Sequence, residues 1–229
     1  MLEAHASVLA GWFYCGRKCV DQLNGIYPPK SKALIIGQTV HEWLSHRPRS
    51  PEEQTVAEAL AKFRVKSKTR PNGSFFYRRY KLLELFGDID DFLLRDDGLQ
   101  ILEFKTIGDA RRIDQWWYIC AYVFQVQIYC YILEPLLAQI GLKLADRHLL
   151  LWYTRKGLPI EKRDPRTLIR YDPHQVEGNL DVIQTAFHDR TKIIYPTVPW
   201  KCEYCADCYR QSCPQGRKYL STITPQVVK

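Results

Sequence analysis

The chain of 229 residues contains no internal repeat and no low-complexity tract. With 46% hydrophobic and 13% aromatic residues it is neither disordered nor collagen-like and can bury a substantial core. Its start, Met1-Leu2-Glu3-Ala4-His5, lacks the basic stretch and long apolar segment of a signal peptide. A reducing, cytoplasmic setting is therefore expected. One run, Gln115 to Leu133, has no charge over 19 residues, which is long enough to cross a bilayer. Its three glutamines (Gln115, Gln125, Gln127) and four tyrosines (Tyr118, Tyr122, Tyr129, Tyr131) would be costly in hydrocarbon. We read it as a buried core helix, with no membrane partner. Acidic residues are absent from Lys62 to Lys81, a segment that holds eight basic ones.

What is present is a basic chain, net +8, with eight cysteines. In a reducing compartment such cysteines are metal ligands, core packers or reactive thiols rather than a disulfide framework. The length suits one large domain or one domain with a small appendage. Residues 1–60 read as helical, with stops at Tyr27-Pro28-Pro29-Lys30 and Arg47-Pro48-Arg49-Ser50-Pro51. Strands are expected at Arg64–Ser67, Phe75–Leu85, Asp88–Leu94 and Leu99–Lys105, the last two joined through the turn Asp96-Asp97-Gly98. A helix over Arg111–Leu144 broken near Pro135, an apolar strand Leu149–Tyr153 and a further helix complete an α/β domain whose sheet is partly antiparallel. The tail beyond Pro196 is too irregular for a core.

Within the expected hairpin, period-two alternation puts Glu103 and Lys105 on one face and Leu102 and Phe104 on the other. Pairing about the turn brings Asp90 opposite Glu103 or Lys105. Two adjacent carboxylates raise each other's proton affinity unless a cation lies between them, and such oxygen ligands suit Mg²⁺ or Mn²⁺. A lysine beside that pair can hold or deprotonate a water, which is what phosphodiester hydrolysis requires. The same spacing would also produce a plain surface ion pair. Asp88 and Asp91 compete with Asp90 for the role.

Asp90 followed by Glu103-Phe104-Lys105 resembles the D-(x)n-E-x-K signature of the restriction-endonuclease-like nuclease superfamily. Gly37-Gln38-Thr39-Val40-His41-Glu42 resembles the helix-borne histidine motif of its RecB-type branch, and Gln125-Val126-Gln127-Ile128-Tyr129 resembles that branch's Q-x3-Y helix. The four elements occur in the family's order. The resemblance implies that Asp90, Glu103 and the backbone carbonyl of Phe104 bind the divalent ion, with His41 as a further ligand. It implies that Lys105 orients or activates the attacking water, and that Gln125 and Tyr129 support the site and contact DNA.

The tail holds Cys202, Cys205, Cys208 and Cys213 within 12 residues, a density that short-range thiolate ligation of zinc or an iron–sulfur cluster explains better than packing. Trp12-Phe13-Tyr14-Cys15-Gly16-Arg17-Lys18 is similar to the aromatic-Cys-Pro-Arg-Lys motif of iron–sulfur RecB-type nucleases, with Gly16 in the usual proline's place. In that family one amino-terminal and three carboxy-terminal cysteines hold a cluster, usually 4Fe-4S rather than 2Fe-2S. The resemblance implies Cys15 with Cys202, Cys205 and Cys213, with Cys208 an alternative ligand. Zinc held by Cys15, Cys19 and two tail cysteines, or by the four tail cysteines alone, is the other reading. Cys120 and Cys130 are expected in the core.

In the acid-free segment, Arg64, Lys66, Lys68, Arg70, Arg78 and Arg79 alternate with Phe75, Phe76, Tyr77 and Tyr80, as a single-strand channel requires. A solvated edge hairpin would show the same charges. The resemblance thus implies a restriction-endonuclease-like mixed sheet flanked by helices, with a nuclease domain over 1–195 and a tail, 196–229, that closes the cluster with Cys15. It points to a metal-dependent DNA exonuclease acting on single strands or overhangs, similar to CRISPR-associated exonucleases that trim spacer precursors beside the integrase subunits. A phage or viral recombination nuclease, a non-catalytic zinc-stapled nucleic-acid-binding protein and a redox sensor are the alternatives.

Overall fold

The structure is a computed structural model that describes residues 1–27, 32–108, 116–160 and 168–194. The tail cysteines Cys202, Cys205, Cys208 and Cys213 lie outside the described residues. The chain opens not with a helix but with a strand, β1 (Leu2–His5). Helices α1 (Ala6–Ala10), α2 (Gly16–Leu23), α3 (Lys32–Leu44) and α4 (Pro51–Ala61) follow. The α4 start is fixed as its sequence demands. Ser50 and Glu53 form a reciprocal capping box ahead of Pro51, and Glu52 and Glu53 occupy the first turn.

Two four-stranded mixed sheets come next, ordered β1-β4-β3-β2 and β5-β6-β7-β8. The first contains β2 (Val65–Lys66), β3 (Ser74–Tyr80) and β4 (Leu83–Gly87). Phe75–Leu85 is thus two strands and not one. Lys81 takes a left-handed φ of 49° and turns the chain without a glycine or proline to announce it. β1 runs parallel to β4, pairing Leu2 with Leu83 and His5 with Phe86.

The second sheet contains β5 (Asp91–Arg95), β6 (Gly98–Ile107), β7 (His148–Thr154) and β8 (Leu168–Ile169). β5 and β6 form the expected antiparallel hairpin, with Asp91 opposite Leu102. β7 returns parallel to β6 after the crossover through α5 (Trp116–Gln139).

Pro135 lies inside α5 without ending it. Proline has no N–H for the carbonyl four residues back, which belongs to Tyr131. The Arg78 guanidinium supplies the missing donor to that carbonyl and lies 3.6 Å from the Tyr131 ring centroid. The helix therefore continues because a neighbouring strand repairs it.

α5 is apolar enough to cross a membrane over Ile119–Gln139, but 67% of its most apolar window is buried inside the fold. A helix that is hydrophobic on every side belongs in a core. Ile128, Ile132, Leu133 and Leu137 pack with Leu83 and Leu85 of the first sheet and Ile101 and Leu150 of the second. Cys130 is fully buried and Cys120 partly so. Helix α6 (Pro173–His188) completes the core through Val176, Leu180 and Ile183.

Candidate active site

Four elements place side chains around the start of β5. Asp90 immediately precedes that strand, and the register of the hairpin carries on to set it across from Glu103. Asp90 Oδ2 accepts the Phe104 N–H at 2.7 Å, and its Oδ1 lies 3.2 Å from His41 Nδ1 on α3. Lys105 donates to Glu103 Oε1, which also accepts from Gln125 Nε2 of α5 at 2.9 Å. Gln125 Nε2 reaches the Tyr129 hydroxyl at 2.5 Å. The Lys105 ammonium lies 4.8 Å from the Tyr122 ring centroid.

Two glycines let the helices come this close. A Cβ on Gly37 would stand 3.1 Å from Thr106 Oγ1, so α3 crosses β6 at contact distance one turn before His41. A Cβ on Gly87 would stand 2.8 Å from the Tyr129 ring, so only glycine lets α5 seat that ring behind Asp88 and Asp90.

The electrostatics are unequal across the two carboxylates. Burial, reinforced by the negative charge of Asp90, pushes Glu103 up to about 8 against the opposing pull of Lys105. Burial also works to raise Asp90, but the His41 hydrogen bond, the Lys105 charge and the Phe104 N–H outweigh it and hold Asp90 below the usual carboxylate range. Glu103 Oε2 is buried and has no hydrogen-bond partner among the described residues. Tyr129 is fully enclosed, and burial raises its hydroxyl well above the ordinary value.

Asp90, Glu103, Lys105, His41, Gln125 and Tyr129 are thus brought together. Gln125 and Tyr129 are buried behind Glu103, which leaves them no outer face toward DNA. Among the described residues no three His, Cys, Asp or Glu side chains are gathered closely enough to close on a metal ion. Lys105 instead sits against the Glu103 carboxylate.

The two competitors of Asp90 have other partners. Asp88 pairs with Arg64 at 2.6 Å. Asp91 is fully buried, receives Arg47 Nε and lies 3.2 Å from Arg49 Nη2. Arg47 also donates to Glu53 at 2.9 Å and to the Phe92 carbonyl. This clamp fastens the α3–α4 junction to β5 and was missed in the sequence, where Arg47-Pro48-Arg49 reads only as a helix stop. The two arginines flanking Pro48 were the available signal.

The basic segment is not one open row. Arg64 pairs with Asp88, donates to the Ser74 carbonyl at 2.8 Å and stacks 5.0 Å from the Phe76 ring centroid. Arg78 is spent on the Tyr131 carbonyl and Glu134. Arg78, expected among the DNA contacts, is thus held by the proline-containing stretch of α5. Lys66, Lys68, Arg70 and Arg79 are exposed.

Cys15 is the N-cap residue of α2 and is buried, and Cys19 one turn on is fully enclosed, with burial and then the nearby Cys15 pushing its thiol up. The Gly16 N–H donates to the Ile194 carbonyl at 3.0 Å, so the last described residue lies against the Cys15 turn.

No protein-family model and no curated protein matches this chain. Its mixed α/β architecture is nonetheless shared with solved structures. One is a protein designated SSO0001, 15% identical, covering 94% of this chain and 88% of its own, with a TM-score of 0.50. Another carries the name "Putative exonuclease" and comes from Eubacterium rectale. It is 16% identical, covers 92% of this chain and 88% of its own, and has a TM-score of 0.52. At these identities the likeness is one of fold.

Proposed function

We propose that the protein is a divalent-metal-dependent DNA exonuclease acting on single strands or overhangs. The observation that carries this reading is the enclosed Asp90–Glu103–Lys105 group, in which one carboxylate oxygen has no partner among the described residues. A structural ion pair has no reason to strand a buried acceptor beside a second carboxylate. The shared fold with a structure named as an exonuclease supports the same reading.

The donor chemistry suits Mg²⁺ or Mn²⁺. Mg²⁺ keeps several waters and takes one or two carboxylates, so Asp90 and Glu103 with the Phe104 carbonyl would hold it without a third side chain, while His41 stays on Asp90 and is not gathered onto the same ion. When bound, the ion would polarise the scissile phosphate and neutralise developing charge. Lys105, once free of Glu103, would hold and orient the attacking water. Gln125 fixes Glu103 from behind, and Tyr129 fixes Gln125. His41 and the Phe104 N–H keep Asp90 ionised and aimed.

The reading extends to an iron–sulfur cluster, 4Fe-4S ahead of 2Fe-2S or zinc, held by Cys15 with Cys202, Cys205 and Cys213, and Cys208 as the alternative. Support comes from Ile194 lying against Gly16, since Cys202 is eight residues further on and an extended chain spans at most about 3.3–3.6 Å per residue. Cys15 at a helix N-terminus stands where an anionic ligand is favoured. By resemblance, the cellular role would be trimming spacer precursors in CRISPR adaptation beside the integrase subunits, in the cytoplasm.

The test is degradation of end-labelled single-stranded DNA with Mg²⁺ or Mn²⁺ by anaerobically purified protein and by Lys105→Ala. Cleavage lost in the variant supports the site. Equal cleavage in both, or none in the wild type, removes the catalytic assignment and leaves the zinc-stapled binding protein.

A further inference from the structure

The loop between β2 and β3 is more ordered than its sequence suggests. The Glu3 carboxylate on β1 accepts the Lys68 N–H at 2.8 Å, the Thr69 N–H at 2.9 Å and the Ser67 hydroxyl at 3.0 Å. Ser67 Oγ in turn accepts the Arg70 N–H at 3.1 Å and lies 3.1 Å from His5 Nε2, which also lies 3.2 Å from Thr69 Oγ1. Ser67 is 2% exposed and His5 3%, while Lys66, Lys68 and Arg70 point outward into solvent. The Ser67 and His5 anchors of the loop are thus on the inside, Thr69 and the Glu3 bonds to the loop amides lie at its rim, and the three cations are on the outside.

Among the described residues Lys66, Lys68 and Arg70 have no acidic partner, unlike Arg64 and Arg78 in the same segment. The loop also starts beside the candidate active site, because Arg64 at its base pairs with Asp88, two residues before Asp90. A strand advances about 3.3 Å per residue, so Lys68 lies no more than about 13 Å along the chain from that base.

We propose that Lys66, Lys68 and Arg70 form a preordered ridge for the sugar-phosphate backbone of a nucleic acid strand leading to the active site, with Glu3 as its positioning residue. Ordering the loop before encounter removes part of the entropy that a flexible basic loop would lose on binding. The unpaired cations gain affinity by counterion release and read no base. The proposal rests on the nucleic-acid reading above but not on cleavage.

The experiment is fluorescence anisotropy of a labelled single-stranded oligonucleotide, in EDTA and over a series of salt concentrations. It compares the full chain, Glu3→Gln, the triple variant Lys66→Ala/Lys68→Ala/Arg70→Ala, and the two combined. The triple variant is expected to bind about tenfold or more weakly and to flatten the slope of log K against log salt by about 2. Glu3→Gln alone is expected to weaken binding about fivefold, since charge-assisted hydrogen bonds hold the loop. Added to the triple variant, it should change nothing. A merely structural Glu3 would cost the same in both backgrounds, and that result overturns the proposal.

If Glu3→Gln does not fold, Ser67→Ala takes its place in the cycle, and slow hydrogen exchange at the Lys68 and Thr69 amides of the wild type is required. Fast exchange there overturns the proposal. Wild-type affinity in the triple variant also overturns it, while cleavage by the wild type leaves the nuclease reading intact. No binding by the wild type ends both the ridge and the nucleic-acid reading.

Discussion

Asp90 and Asp91 are neighbours in sequence and opposites in use. Asp91 is fully buried, and the charges around it are closed: two guanidiniums meet it, and one of them also meets Glu53. Asp90 faces a second carboxylate, and on the Glu103 side an acceptor is left over. The charge on Asp91 is neutralised within the molecule, whereas beside Asp90 a buried acceptor of Glu103 has no partner among the described residues.

The sharpest way to break this comparison is to substitute each acid in turn. Burial pushes Glu103 up to about 8, so Glu103→Gln replaces an acid that the fold already holds largely neutral near pH 7, and we expect cleavage to fall by about 10²-fold or more while the melting temperature is kept or rises. A variant that loses stability instead would move Glu103 to the structural side. Asp91→Ala should do the reverse. It leaves Arg47 and Arg49 without their buried partner, and a stability loss of about 2–4 kcal/mol in urea unfolding is expected. Loss of cleavage with unchanged stability would exchange the roles of the two aspartates.

Arg78→Met should cost about 1–2 kcal/mol through the orphaned Tyr131 carbonyl, yet leave oligonucleotide affinity unaltered. A large loss of affinity would return Arg78 to the binding surface.

A pH dependence lies outside both regions. Burial lowers His5 and His148 to about 4, and His148 Nδ1 accepts the Ile101 N–H at 3.1 Å, which a protonated ring cannot do. Below about 6.5 the unfolded chain takes up protons that the folded one refuses. The stability these rings contribute is therefore full above that pH and is lost as pH falls through about 4. Replacing His148 by Gln should flatten the decline between those limits in thermal melts.

Much of the site was legible because it is local. A two-residue turn at Asp96-Asp97 fixes the β5–β6 register, and this brings Asp90, Glu103 and Lys105 together from short-range information. The features that escaped are long-range. β1 has only four residues, and its pairing is with a strand about eighty positions away. Lys81 makes a left-handed turn without glycine because the paired strands and its own 2.5 Å contact with Asp181 hold it there. Pro135 reads as a helix break until Arg78 is known to be near. Glu3 reads as a solvated acid until Ser67 and Thr69 fold back on it.

The parallel pairing of β1 with β4 sets an order of events during synthesis. At about 5–20 residues per second, the first strand leaves the ribosome some 4–16 s before its partner exists. During that interval it has no neighbour with which to pair, and the amide row that later joins β4 is open to other chains. The nascent chain is thus open to mispairing at β1 until β4 has been made. A chaperone that shields extended segments would have its greatest effect on yield there.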